Sequence, residues 1–172
     1  MTKEEQWAKA TIVLKIIWAA LLQGAVLFGA AALFSGIKFG VQNPDDILSM
    51  IAVGVAALAL AAAVVLPPAI SKAASLQLPT DPPVRLLASM WTTESILRWA
   101  LLEGGALLCG LAFLVERRPW VGAAGGFMLA ALALGYPSAA RRDAFLRRIG
   151  HADATNATTQ DDQLDHLRPG GT

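Results

Sequence analysis

The chain has 172 residues, of which 55% are hydrophobic and 16% are charged, and its formal net charge is +1. Soluble domains average about 45–50% apolar and about 25% charged residues, so this balance favours a membrane protein. The near-neutral charge excludes a broad basic surface for nucleic acid, and the single cysteine, Cys109, excludes an intramolecular disulfide and a cysteine-cluster metal site.

Two long apolar runs occupy the first part of the chain. Ile16 to Phe34 contains Gln23 as its one polar interruption, and Ile47 to Leu66 contains Ser49. A helix needs about 20 residues, within a range of roughly 17–25, to cross a bilayer, so both runs predict spans. The leader before the first run carries two glutamates, so we expect this run to remain as a helix and not to be cleaved as a signal peptide.

Residues 69–93 predict a Pro-rich cytoplasmic connector between two hairpins. Asp81 followed by Pro82 is a helix N-cap with proline at the first helical position. Apolar residues then recur at helical spacing, at Val84, Leu87, Ala88 and Trp91. This stripe predicts either an amphipathic segment lying on the bilayer or on a partner, or a plain extension of the third span into water. The sequence leaves both alternatives open.

Two further runs, Trp99 to Val115 and Trp120 to Tyr136, predict the third and fourth spans. Both are at the short end of the range, and neighbouring arginines can extend their charged heads toward the lipid headgroups. Glu103 is the one charged residue within the third run. Aromatic residues near the run ends are typical of membrane–water interfaces; they are Trp18, Trp99, Trp120 and Tyr136.

A basic segment and a polar tail follow the fourth run. We expect the basic segment to contact anionic lipid headgroups through Arg141, Arg142, Arg147 and Arg148. Residues 150–172 are polar and low in aromatic residues, which predicts a disordered tail. The tail holds both histidines, His151 and His166, too far apart to favour a metal site, so we expect no metal and no other cofactor.

Basic residues near the span ends predict the orientation. The amino-terminal segment, the loop between the second and third runs and the basic segment after the fourth run together hold ten lysines and arginines. The other two loops hold three, Lys38, Arg117 and Arg118. Because cytoplasmic loops carry the excess of Lys and Arg, both termini are predicted to be cytoplasmic.

Two segments of the sequence are also similar to each other. "ALLQGAVLFGAAALF" from Ala20 and "ALLEGGALLCGLAFL" from Ala100 align at an offset of 80, with Gln23 opposite Glu103. The second span of each pair ends in a Pro-x-Ala-x-x-basic pattern, which begins at Pro67 and at Pro137. We therefore predict an all-α, integral membrane four-helix bundle built from two tandem, parallel hairpin repeats. The alternative is that Leu, Ala and Gly, common in any span, align by chance.

Small residues recur at four-residue spacing on three of the predicted spans. Lipid supplies no hydrophobic force between helices, so close backbone approach must hold them together. The predicted packing positions are Gly24, Gly29, Gly104, Gly105, Gly122 and Gly126, within motifs such as Gly122-x-x-x-Gly126-x-x-x-Ala130. They predict tight packing of the helices with each other or with a partner.

Glu103 has two interpretations. Helical spacing places it beside Trp99, Ala106, Leu107 and Gly110, so we expect it to face a helix interface. Gln23 could hydrogen-bond it across the bundle as an interhelical clasp. The alternative is a carboxylate that carries a proton or cation. Arg98 is expected to pair with Glu94, four residues away, and not with Glu103.

The segment "TTESILRWALLEGGALL" resembles small, functionally uncharacterised bacterial four-span membrane proteins with a Thr-x-x-x-Ile-x-Arg-x-Ala-x-x-Glu-Gly-x-Ala pattern. The resemblance covers the second hairpin and implies a bacterial inner membrane location. A Leu-Leu-Glu span beside Gly/Ala-rich spans is distantly similar to the proteolipid subunit of rotary ATPases, in which a buried carboxylate carries the coupling ion. Here the glutamate lies on the first helix of its hairpin, and the short polar Arg-Gln-Pro type loop is absent.

The predicted organisation is a first hairpin over 1–68, the connector 69–93, a second hairpin with its basic end over 94–149, and the tail from 150. No nucleotide-binding loop or nucleophile elbow occurs in the sequence, so an enzyme is not expected. We expect a non-catalytic subunit that packs with itself, as a homo-oligomer, or with another membrane protein. The alternative is a proton- or cation-coupled transport subunit that uses Glu103.

Overall fold

The computed structural model describes residues 2–34, 47–79 and 82–150, and these residues are helical without a strand. The helices in chain order are α1 (Lys3–Phe34), α2 (Ile47–Ser75), α3 (Val84–Glu116), α4 (Pro119–Leu134) and α5 (Ala139–Arg148). The all-α prediction is therefore confirmed for the described residues. The tail from 151 to 172 and the loop 35–46 lie outside them.

Three of the helices, α1, α2 and α3, are long and apolar enough to cross a membrane, and the number is four if α4 and α5 are counted as one span. At 1.5 Å per residue the 33 residues of α3 extend about 50 Å, well beyond a hydrocarbon core of about 30 Å. By the same measure the 16 residues of α4 extend about 24 Å. The long helices therefore continue past the membrane core, whereas α4 is shorter than that core.

Local sequence explains where helices start. Thr2 and Glu5 form a capping box at the start of α1, in which the Thr2 hydroxyl accepts from the Glu5 N–H at 3.2 Å and the Glu5 carboxylate accepts from the Thr2 N–H at 2.9 Å. Pro119 stands at the start of α4, where the N–H that proline lacks would have no helical partner. α5 belongs to a second compact unit from Ser138, whose hydroxyl accepts from the Arg141 N–H at 3.4 Å.

α3 is the central helix of the first unit and packs against α1, α2 and α4. Its end at Glu116 meets the start of α2, and Arg98 lies against Ala63, so α2 and α3 are antiparallel. Trp7 on α1 packs edge-to-face on Trp91 at 5.9 Å, and Arg117 meets Ala32, so α1 and α3 run parallel. The core of α3 is formed by Trp99, Leu102, Ala106, Cys109 and Ala112.

The helices take in most of the predicted connector 69–93. α2 continues through Pro67 and Pro68 to Ser75, and α3 already begins at Val84, so the expected boundaries at 68 and 94 fall inside helices. The predicted apolar stripe is buried, with Trp91 4% exposed and packed on Trp7. Of the two alternatives left open by the sequence, the structure has an extension of the third helix, with its apolar face covered by the chain itself.

Candidate functional site

Polar side chains of α3 contact the backbone of all three neighbouring helices. A backbone N–H or C=O without a partner is costly in lipid, because no water is present to replace it. The contacts form two groups at different heights on α3. We call them the Glu116 belt, formed by Glu116 and Arg117, and the Arg98 belt, formed by Arg98, Trp99 and Trp18 of α1.

In the Glu116 belt, two consecutive residues bond the ends of two other helices. The Glu116 carboxylate accepts from the backbone N–H groups of Leu48 at 3.1 Å and Ser49 at 2.9 Å, and from the Ser49 hydroxyl. It thus caps the start of α2, where a negative charge is also favoured by the helix dipole. Arg117 donates at 3.1 Å to the carbonyl of Ala32 in the last turn of α1. The end of α3 therefore stabilises the two helix ends that flank the loop 35–46.

In the Arg98 belt, the guanidinium of Arg98 substitutes for a missing backbone donor. Proline has no N–H, so Pro67 cannot donate to the carbonyl of Ala63 four residues earlier in α2. Arg98 Nε donates to that carbonyl at 3.2 Å. The same guanidinium contacts the Glu94 carboxylate at 3.3 Å, which confirms the predicted Glu94–Arg98 pair. Glu94 is only 7% exposed, so this pair lies in the contact between α2 and α3.

Two tryptophans of the Arg98 belt donate hydrogen bonds to backbone carbonyls at the end of α4. The indole N–H of Trp99, which is fully buried, donates to the Gly135 carbonyl at 3.1 Å. The indole N–H of Trp18 donates to the Leu132 carbonyl at 2.9 Å. Trp18 also packs edge-to-face on Tyr136 at 5.1 Å. Carbonyls in the last turn of a helix lack their usual donors four residues on, so the two indoles add hydrogen bonds at the end of α4.

The separation of the two belts matches the thickness of a bilayer core. Arg98 and Glu116 are 18 positions apart on α3, or about 27 Å at 1.5 Å per residue, against about 30 Å of hydrocarbon. Glu103 lies between the belts, about 8 Å from the level of Arg98. It is therefore the one charged residue on the stretch of α3 between the belts.

Glu103 is half-buried and lies against α1. Its Oε1 is 4.0 Å from the point that a Cβ on Gly24 would occupy, so the carboxyl group is at the level of Gln23. Gln23 is exposed, and among the described residues no hydrogen bond joins it to Glu103. The structure brings the two positions to one level, and their clasp stays a prediction.

The predicted packing glycines differ in what surrounds them. A Cβ on Gly105 would lie 2.5 Å from Met128 Cε and 3.5 Å from the Ala56 backbone, and one on Gly122 would lie 3.1 Å from the Phe113 ring. At Gly29 the nearest atom would be at an ordinary 3.9 Å. Gly104 and Gly126 have open space. Of the six predicted glycines, Gly105 and Gly122 are therefore the two in close contact with a neighbouring helix.

Two close contacts were missed in the sequence. A Cβ on Gly110 would lie 2.8 Å from Phe28, and one on Gly125 would lie 3.2 Å from Cys109 Cβ. The buried stripe of α4 is Val121, Gly125, Met128 and Leu132, one position away from the predicted Gly122–Gly126–Ala130 stripe. Apolar residues surround every position of α4, so the pattern of the sequence did not identify the buried face.

The remaining predicted sites lie on α5 or beyond it. Within α5, Arg142 contacts Asp143 at 3.1 Å and Arg148 lies over the Phe145 ring at 5.7 Å, while Arg141 and Arg147 are exposed. Their contact with headgroups stays a prediction. His151 and His166 lie outside the described residues. Within the described ranges, no three His, Cys, Asp or Glu side chains are grouped as metal ligands would be.

No family model matches the sequence, and comparison with curated proteins and with solved structures found no match.

Proposed function

We propose that the chain is a non-catalytic integral membrane protein of the bacterial inner membrane that associates with a second copy of itself or with another membrane protein. It crosses the membrane four times, with both termini in the cytoplasm, as two tandem hairpins. The excess of Lys and Arg at the predicted cytoplasmic ends supports this orientation. The parallel course of α1 and α3 is the arrangement that a tandem hairpin repeat requires.

The observation that carries this proposal is the outward face of α2. Gly54, Ala57 and Ala61 lie along one exposed side of the helix, and a Cβ on Gly54 would meet nothing within 4 Å. Small side chains on an exposed face let the backbone of another helix approach closely, which favours association in lipid. The polar groups of α3, by contrast, bond its neighbours. This exposed row of small residues on α2 supports association with another helix.

Gly54→Leu tests this association. Leu extends into the open space beside Gly54 and favours the helix by about 1 kcal/mol over Gly, so the variant should fold while holding a partner helix away. We expect the dimer fraction, measured by photobleaching of labelled protein in liposomes, to fall about tenfold, which corresponds to about 1.4 kcal/mol. Gly104→Leu, which also has open space, is the matched control. A wild-type protein that is monomeric and yields no membrane partner by photo-crosslinking from position 54 would contradict the proposal.

The second candidate function is proton or cation coupling through Glu103. It is favoured by one observation, a half-buried carboxyl group between the two belts, about 8 Å from the level of Arg98 and about 20 Å from the level of Glu116. A structural clasp tolerates Glu103→Gln because the amide keeps a hydrogen-bond acceptor, whereas a proton carrier does not because the amide cannot ionise.

Carbodiimide labelling separates the two functions of Glu103. A hydrophobic carbodiimide reacts with a protonated carboxyl group that it can reach from lipid. If wild type in liposomes labels at Glu103 with a dependence on pH and Glu103→Gln does not label, coupling becomes the leading function and flux assays follow. If Glu103 stays unlabelled and the variant assembles normally, the structural function stands.

A further inference from the structure

A groove with a volume of about 570 Å³ opens between α1, α3 and α4. Its walls are almost entirely apolar. Gly29 and Ala32 line it from α1, Ala106 and Gly110 from α3, and Gly122 and Gly126 from α4. Phe28, Phe34 and Phe113 add aromatic surface. In a bilayer this groove is filled. The length of the groove and the residues at its rim indicate what fills it.

The length of the groove fits one leaflet. Along α4 its lining runs from Pro119 to Leu129, ten positions or about 15 Å, and along α1 from Ala25 to Phe34, or about 14 Å. Half of a hydrocarbon core of about 30 Å is about 15 Å. A transmembrane helix of a partner needs a groove along the whole span, whereas a lipid acyl chain needs one only to the midplane. The extent of the groove therefore favours an acyl chain.

The rim of the groove carries positive charge. Arg117 donates to the carbonyl of Ala32 and lies 5.8 Å from the centre of the Phe113 ring. Ala32 and Phe113 both line the groove. Arg118 directly precedes Pro119, where the lining begins on α4. The Glu116 carboxylate is turned to the start of α2. Among the described residues, two guanidinium groups therefore lie at this end of the groove, and a guanidinium offers several N–H donors to a phosphate.

We infer that the α1–α3–α4 groove binds one acyl chain of an anionic phospholipid, with the phosphate of its headgroup held by Arg117 and Arg118 at the Glu116 belt. This site is separate from the outward face of α2. It is also at the opposite end of the first unit from the Arg98 belt. The lipid fills the space between α1 and α4 in the half of the bundle where these two helices leave a groove.

Gly126→Leu tests the groove from within. A Cβ at Gly126 meets nothing within 4 Å, so the leucine fits the fold and occupies groove volume. The full chain is placed in nanodiscs that contain equal phosphatidylglycerol and phosphatidylcholine, and native mass spectrometry then counts the lipids that stay bound. We expect one phosphatidylglycerol on wild type, about tenfold less on Gly126→Leu, and the wild-type amount on Gly104→Leu, which makes the same change at an open position outside the groove.

Further variants keep the test decisive. Arg118→Gln should reduce the preference for phosphatidylglycerol over phosphatidylcholine while a chain still occupies the groove. If Gly126→Leu loses helical circular dichroism, Val26→Trp fills the groove from the wall on α1 and replaces it. Lipid retention by folded Gly126→Leu equal to wild type overturns the proposal. So does a wild-type protein that binds no lipid but forms a dimer that Gly126→Leu abolishes, since the groove then holds a second copy.

Discussion

At one proline site in this protein the helix continues, and at another the helix ends before the proline. α2 passes through Pro67 and Pro68 as a helix and continues to Ser75, whereas α4 ends at Leu134 before Pro137. Both sites share the Pro-x-Ala-x-x-basic pattern, and both disturb the backbone bonding of a helix. At the first, Arg98 bonds the carbonyl that proline leaves without a donor, and at the second Trp99 bonds a carbonyl at the helix end.

The comparison shows that a proline in a span is tolerated when a neighbouring helix supplies the missing donor. Arg98 and Trp99 are consecutive on α3, and consecutive residues on a helix point about 100° apart. One therefore reaches α2 and the other reaches the end of α4. The central helix thus bonds the backbone opposite the proline of α2 and at the end of α4 from one level.

The largest effect is expected for Arg98→Met. It removes the donor to Ala63 and the guanidinium partner of the buried Glu94 carboxylate, so the free energy of unfolding should fall by about 3 kcal/mol. Adding Pro67→Ala should recover about 1 kcal/mol, because the restored N–H can bond Ala63 within α2. The unfolding of all variants is followed by circular dichroism in mixed micelles. Pro67→Ala should bring no such gain in the wild-type background, and equal effects in the two backgrounds would refute the donor role of Arg98.

Gly135→Ala should have an intermediate effect at the second proline site. A Cβ there would lie 2.8 Å from the Leu132 carbonyl oxygen and 2.8 Å from Trp99 Nε1, so the indole must move. We expect a loss of about 2 kcal/mol, as for other overpacked positions. Gly126→Ala, at a position with open space, is the control and should be neutral or stabilising. Comparable stability of the two alanine variants would mean that the end of α4 does not depend on the Trp99 contact.

The smallest effects are expected for the two tryptophan variants, of which Trp99→Phe keeps an aromatic ring and removes the indole N–H. The Gly135 carbonyl loses its bond, and we expect a cost of about 1 kcal/mol. Trp18→Phe should cost less, because the Leu132 carbonyl also accepts from the Gly135 N–H at 2.9 Å. The same unfolding assay compares the two. A larger loss for Trp18→Phe would reverse the order that these bonds predict.

Local patterns predicted some of these contacts and could not predict others. The Glu94–Arg98 pair follows from spacing on one helix, and it is present. The contacts of Arg98 with Ala63 and of Glu116 with Leu48 join positions 35 and 68 residues apart. A charged pair at the end of an apolar run, as at Glu116 and Arg117, is the signal that could have indicated the second contact. That signal names no partner, because the partner is a backbone group and every residue has one.

The sequence by itself determined that the chain is helical and apolar enough for a membrane, because span length and hydropathy are properties of each segment alone. It also determined the helical stripe of Val84, Leu87, Ala88 and Trp91. Tertiary structure decided which face of α4 is buried and that α2 continues through Pro67. It also decided where, within the predicted connector 69–93, α2 ends and α3 begins. These outcomes depend on atoms that other helices place nearby, as where Arg98 supplies the hydrogen bond that Pro67 cannot supply within α2.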